Sequence, residues 1–193
     1  MTLITQSLMT AGTLKTIAGP MYAGKTSAIL KLILWINHCN HKVVVLKPNI
    51  DNRYSKDNIE THNRLSFPCF AMESWQHALD NHTFQPYNYN TVFIDEIQFM
   101  DTKETVDNVT TMLERGIHVV AAGLDQDSAG VPFETTAMLL ALSDEVEKIQ
   151  AVCTQCGKPA TKTQRLEGAE EGRVLVGSKG TYEPRCVTHW EAR

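Results

Sequence analysis

Gly19-Pro20-Met21-Tyr22-Ala23-Gly24-Lys25-Thr26 fits the pattern G-x-x-x-x-G-K-[ST] without a mismatch. Each fixed position has a physical task. The glycines let the backbone curl so that successive N–H groups point at phosphate oxygens. The lysine brings a positive charge to the β- and γ-phosphates, and the threonine hydroxyl is a ligand for Mg²⁺. At average residue usage, such a match arises by chance in about 1 of 100 chains of this length. The flanks strengthen it. Residues 13–18 read as a short strand, and from Gly24 to about residue 40 Ile29, Ile33 and Ile36 recur at helical spacing, with Leu30 and Leu34 beside them. A helix starting there points its positive end at the same phosphates. The stretch therefore predicts a nucleotide site on a strand–loop–helix unit.

Working outward, Val43 to Leu46 is a continuous apolar run stopped by Pro48, the form of a strand buried on both faces. The β-helix-β order implies a parallel sheet. Residues 49–67 read as polar and irregular, 73–80 as a short helix, and 81–90 as a loop rich in Asn. Residues 91–94 form the next buried strand. Asp101 with Glu104 three residues on predicts a capped helix that runs to Arg115 and stops at Gly116. Strands follow at 118–122 and 146–152, with a helix at 137–142 between them. Beyond Cys156 the character changes: 166–173 is rich in Gly and Glu, and 174–176 reads as a strand. The expected fold class is α/β, a P-loop NTPase-like parallel sheet flanked by helices. The expected division is 1–150 for that domain and 151–193 for a small C-terminal module.

Two further constellations carry chemistry. Val92-Phe93-Ile94 runs into Asp95-Glu96. Parallel strand ends converge on the ligand crevice, so both carboxylates are expected near Lys25. One would hold Mg²⁺ and the other would orient or deprotonate an acceptor. Neighbouring side chains at a strand end diverge, and the spacing leaves open which takes which role. The second constellation is Cys153-x-x-Cys156 with Cys186-x-x-His189, a Cys₃His set expected to hold a structural Zn²⁺, since four protein ligands leave no open position. Cys39 and Cys69 lack such spacing and read as ordinary thiols.

Composition sets bounds on the rest. The 193 residues are 42% hydrophobic and 21% charged, with a net charge of −4. This excludes a disordered or collagenous chain, and the absence of a basic stripe argues against a nucleic-acid binder. No apolar run reaches the roughly 18 residues of a membrane span. The start shows no secretory pattern, so a cytoplasmic protein without a membrane partner is expected.

Taken together, these blocks resemble the type II (cytosolic-type) thymidine kinase family over nearly all of the chain after the first dozen residues. Gly19 to Thr26 is similar to its phosphate loop, and Asp95-Glu96-Ile97-Gln98-Phe99 to its DE-x-QF block. Asp51-Asn52-Arg53-Tyr54, Gly123-Leu124-Asp125-Gln126-Asp127 with Pro132-Phe133, and Val176-Gly177 through Tyr182 to Cys186-Val187-Thr188-His189 resemble further family segments. The resemblance implies transfer of the ATP γ-phosphate to the 5′-hydroxyl of thymidine, with deoxyuridine as second substrate, in nucleotide salvage for DNA synthesis. It implies Glu96 as general base. It also places Gly19, Pro20, Met21, Tyr22, Ala23, Gly24 and Lys25 on the ATP phosphates, Thr26 and Asp95 on Mg²⁺, and Arg53 near the transferred group. Met21, Asp51, Phe99, Leu124, Phe133 and Tyr182 would shape the nucleoside site. Thr163, Leu175 and Gly177 would belong to a lasso loop that grips thymine through main-chain groups. The resemblance further implies a homotetramer. Ser128 stands where the family usually carries a base-stacking aromatic, and Ser178 replaces a glycine of the lasso turn.

From the residues alone the reading reaches a Mg²⁺/ATP phosphotransferase or NTPase. No N-K-x-D guanine motif is present, which argues against a GTPase switch. Glu167, Glu170 and Glu171 argue against a nucleic-acid-binding zinc ribbon. Another P-loop deoxynucleoside or nucleoside monophosphate kinase is the remaining alternative.

Overall fold

A computed structural model describes residues 11–37, 41–49, 58–60, 65–80, 84–166 and 180–192. In chain order the strands are β1 (Leu14–Ala18), β2 (Val43–Pro48), β3 (Asn58–Glu60), β4 (Ser66–Pro68), β5 (Phe70–Met72), β6 (Thr91–Ile94), β7 (His118–Gly123), β8 (Glu145–Lys148), β9 (Ala151–Val152), β10 (Pro159–Ala160), β11 (Lys162–Arg165) and β12 (Tyr182–Arg185). The helices are α1 (Lys25–Asn37), α2 (Trp75–Asp80), α3 (Thr102–Glu114) and α4 (Glu134–Leu142), with 3₁₀ turns at Pro86–Asn88 and Ile97–Phe99.

Six strands form one parallel sheet in the order β5-β2-β6-β7-β1-β8. This is the α/β sheet expected from the sequence. Side-chain alternation sorts its apolar runs into two cores. Val44, Leu46, Val92, Ile94, Val119 and Ala121 face a cluster that includes Trp75, Val109, Met112 and Leu139 from α2, α3 and α4. Val45, Phe93, Val120, Ala122 and Ile17 face the opposite side, where Ile29, Leu30 and Ile33 of α1 cover them. Helices thus close both faces, and the central strands are apolar throughout for that reason.

Local signals fixed several boundaries. Asp101 caps α3, its Oδ1 accepting the Glu104 N–H at 2.8 Å, and Gly116 follows the helix with φ 80°. Trp75 is buried with its indole N–H donated to Thr105 Oγ1 at 3.0 Å, so α2 and α3 are joined by a satisfied polar contact inside the core.

Three regions differ from the expectation. The stretch 49–67, read as irregular, contains β3, which pairs antiparallel with β4. Each is three residues long, too short for a period-2 pattern to stand out. β5, which pairs with β2 at the edge of the six-stranded sheet, is equally short. The expected strand at 146–152 is two elements: β8 pairs with β1, whereas Ala151–Val152 turns away to pair with β10. Finally, α4 begins at Glu134, three residues earlier than the apolar pattern showed, because its first turn carries the buried polar side chains Thr135 and Thr136. The expected strand at 174–176, and the candidates Asp51, Arg53, Leu175 and Gly177, lie outside the described residues.

Candidate active site and metal centre

The loop after β1 leads directly into α1. Gly24 has φ 89°, a conformation that L side chains rarely adopt, and its carbonyl accepts the Ala28 N–H at 3.0 Å, which starts the helix. Gly19 is required for closeness: a Cβ there would lie 2.2 Å from the Ile149 carbonyl oxygen. Tyr22 stands at φ 62°, turning the loop backbone between the two glycines. Lys25 is buried, and its Nζ donates to the carbonyls of Gly19 at 3.1 Å and Pro20 at 2.8 Å. No acidic residue of the helix itself occupies the first turn of α1.

β1 and β6 are separated by β7, yet their ends meet. Thr26 Oγ1 donates to Asp95 Oδ2 at 2.9 Å, joining the first turn of α1 to the end of β6. Asp95 continues the alternation of Phe93 toward the α1 side and is buried. Burial pushes its carboxyl up to about 7, and the neighbouring Glu96 charge adds to this, against the Thr26 hydroxyl, the Glu96 N–H and the Lys25 charge. A hydroxyl and a buried carboxylate are hard oxygen donors, the kind Mg²⁺ takes.

Glu96 points elsewhere. Its backbone is left-handed, φ 55° and ψ 41°, and its N–H donates to Asp95 Oδ1 at 3.0 Å. The chain then enters the 3₁₀ turn at Ile97–Phe99. Gln98 Nε2 donates to Glu96 Oε2, and Gln98 Oε1 accepts the Leu124 N–H at 3.0 Å. The two carboxylates the sequence left unassigned are thus separated: Asp95 faces Thr26 in the first turn of α1, and Glu96 faces Gln98, which reaches the loop after β7.

The loop after β7 is held from several sides. Asp127 Oδ1 accepts the N–H groups of Ala129 at 3.0 Å and Val131 at 2.9 Å. Lys162 Nζ donates to Gln126 Oε1 at 2.6 Å and sits over the Trp190 ring. The Trp190 indole donates to the Ser128 carbonyl at 3.2 Å. Phe133 is buried before α4, and its N–H reaches the Asp125 carbonyl at 3.1 Å.

Cys153, Cys156, Cys186 and His189 come together as expected, with one ligand atom from each lying within 4.8 Å of the others. The Cys156 and Cys186 sulfurs are 3.8 Å apart, and Cys186 Sγ is 3.3 Å from His189 Nδ1. Tetrahedral Zn²⁺ with Zn–S of about 2.3 Å requires S···S of about 3.8 Å, so the cluster has the shape and the donors for zinc. Gly157, at φ 70°, closes the first knuckle. Burial opposes ionisation of Cys153, but the N–H groups of Cys186, Gln155 and Cys156 and the His189 ring outweigh it and bring the thiol down to about 5. Contacts with Cys153 and Cys186 raise the His189 pKa.

The Cys₃His cluster and β11 touch the loop after β1. Ala23 packs against the cluster of Ala151, Cys153, Ala160 and Cys186. The Met21 N–H donates to Thr163 Oγ1 at 3.1 Å, and Thr163 is buried on β11. Thr163 was expected as part of a thymine-gripping loop; its hydroxyl is bonded to the loop after β1. β11 and β12 pair antiparallel from Lys162↔Arg185 to Arg165↔Tyr182, which places buried Tyr182 at the end of that ladder. Phe99 is half-buried at the end of its 3₁₀ turn.

The polar chain Thr26–Asp95–Glu96–Gln98–Leu124 and the pair Met21–Thr163 are joined by direct bonds. Sequence reasoning quoted Gln98 but gave it no role. Its one local signal is an amide set between Ile97 and Phe99, where an apolar residue would be ordinary.

A sequence model of the family described as "Thymidine kinase" matches residues 12–190.

Proposed function

Because the chain belongs to the thymidine kinase family, an ATP-dependent phosphotransferase family acting on a small nucleoside, we propose which of its residues carry the transfer. The loop amides from Gly19 to Gly24 and the Lys25 ammonium bind the ATP phosphates, helped by the N-terminus of α1. Thr26 and Asp95 would hold Mg²⁺, whose charge would offset the charge that develops on the phosphates. Glu96 accepts the proton of the thymidine 5′-hydroxyl as that oxygen bonds to the γ-phosphorus and the bond to the β-phosphate oxygen breaks, giving dTMP and ADP. Arg53 stabilises the transferred group. Met21, Asp51, Phe99, Leu124, Phe133, Thr163, Leu175, Gly177 and Tyr182 shape the nucleoside site.

The observation that carries this reading is the Thr26–Asp95 hydrogen bond of 2.9 Å, with Glu96 turned the other way by its left-handed backbone. One carboxylate is committed to the phosphate side and its neighbour is left to serve an acceptor. A carboxylate pair pointing together would favour a second metal ligand and leave no base. The reading extends to a two-part organisation, 1–150 for the kinase domain and 151–193 for the zinc and lasso module. It also extends to a homotetramer in the cytoplasm, with no nucleic-acid or membrane partner and deoxyuridine as second substrate. Among the described residues, no helix is long and apolar enough to cross a membrane.

The test is steady-state ADP formation with Mg²⁺/ATP and, in turn, thymidine, deoxyuridine, deoxycytidine, deoxyguanosine, dTMP or no acceptor. Turnover that depends on thymidine, with little ATP loss without it, is expected. Hydrolysis independent of acceptor, or activity confined to dTMP, would overturn the assignment of these residues.

A further inference from the structure

We infer that Gln98 is a positioning residue for the transfer, clamping the Glu96 carboxylate against the loop that follows β7. The inference rests on the reading of Glu96 as the general base. Four observations carry it. Gln98 is buried. Both ends of its amide are engaged, Nε2 with Glu96 Oε2 and Oε1 with the Leu124 N–H. The orientation of that amide is not free: a backbone N–H can only donate, so the end facing Leu124 must be oxygen, and the end facing Glu96 must be the NH₂ group. Finally, the β7 end is built to admit the amide. A Cβ at Gly123 would lie 2.7 Å from Gln98 Oε1 and 2.6 Å from Ile97 Cγ1.

The physical need is plain from the backbone. Glu96 leaves the sheet in a left-handed conformation that costs energy in a residue with a Cβ, and its side chain departs from the strand alternation that directs Asp95. A glutamate carrying three rotatable bonds at such a point needs a second contact to hold one rotamer. Gln98 supplies it through a hydrogen bond to Glu96 Oε2, and Leu124 fixes Gln98 in turn. Leu124 belongs to the segment proposed to line the nucleoside site, so the same amide ties the base to the acceptor's side of the crevice.

The test uses the full chain with two substitutions of similar shape. Gln98→Glu keeps an acceptor for Leu124 but sets oxygen against oxygen at Glu96. Gln98→Met keeps the bulk and removes both bonds, and it serves if the charged variant fails to fold. Both are expected to lower kcat by about 10- to 100-fold, the scale of a misplaced catalytic group, with KM for ATP changed by no more than about 2-fold. In a Glu96→Ala background the same substitutions are expected to cost nothing further, since the clamped group is gone. Full kcat in Gln98→Met, a loss that appears in KM for ATP instead of kcat, or a loss that adds in full to that of Glu96→Ala would overturn the clamp. Unchanged turnover in Glu96→Ala alone would instead overturn the base assignment, a result read independently of any Gln98 variant.

Discussion

Replacing Cys153 with serine tests whether the metal module supports the phosphate loop or merely hangs beside it. Cys153 is the most buried of the four ligands, and its neighbours in the small cluster include Ala23 of the loop. Serine is a poor zinc ligand, so the knuckles should lose their metal and the strands they pin should open. Two contacts to the loop then weaken. Ala23 loses a packed methyl, worth about 0.8 kcal/mol, and the Met21 N–H loses the Thr163 hydroxyl, worth about 0.5–1.5 kcal/mol. Together these amount to about 1.3–2.3 kcal/mol, or about 10- to 50-fold in ATP affinity. Zinc content by elemental analysis and ATP dissociation constants by calorimetry give the two readouts. Thr163→Val isolates one of the two contacts, because it keeps the shape of the side chain and removes only the acceptor, and it should weaken ATP by about 2- to 13-fold with zinc retained. A zinc-free Cys153→Ser protein that binds ATP as tightly as the unaltered chain would refute the bracing argument. Full zinc retention would refute the ligand assignment.

Other outcomes follow from single contacts. Glu96→Ala should retain ATP binding and lose at least about 100-fold in kcat, measured by steady-state and equilibrium binding in parallel. Thr105→Val strands the buried Trp75 indole N–H and should lower stability by about 1–3 kcal/mol in urea titration, while the double variant with Trp75→Phe should recover part of that loss. Acidification should release zinc through the thiolates. The Cys153 thiol lies below its ordinary value, whereas the Cys156 thiol is raised, so Cys153 is the ligand that holds its thiolate furthest as pH falls. Zinc retained at neutral pH and lost on acidification, followed with a chromogenic chelator, is the expected pattern. Zinc content that does not change on acidification would contradict it.

Much of this arrangement could be read along the chain because its causes are local. The motif Gly19 to Thr26 is eight consecutive residues, and Gly24 in it takes the positive φ and Gly19 the close approach that only glycine allows. Asp101 and Gly116 mark the ends of α3 through a cap and a left-handed turn. The runs 44–46, 91–94 and 119–122 lie buried in strands covered on both faces. The cysteine spacing identifies the ligand set, since chelation by adjacent knuckles requires it. The short strands β3, β4 and β5 escaped notice because three residues cannot display a period.

The amino-acid sequence alone carried the parallel α/β class and the meeting of Cys153, Cys156, Cys186 and His189, both of which the structure bears out, and the family match agrees with the family that its motifs resemble. The tertiary fold settled how these parts address one another. It set β7 between β1 and β6, turned Asp95 toward Thr26 and Glu96 toward Gln98, and laid Thr163 on the phosphate loop. Those relations join residues as far apart as Met21 and Thr163, and no local pattern encodes them. They arise where strand register, helix packing and the metal knuckles bring distant backbone segments within hydrogen-bonding distance.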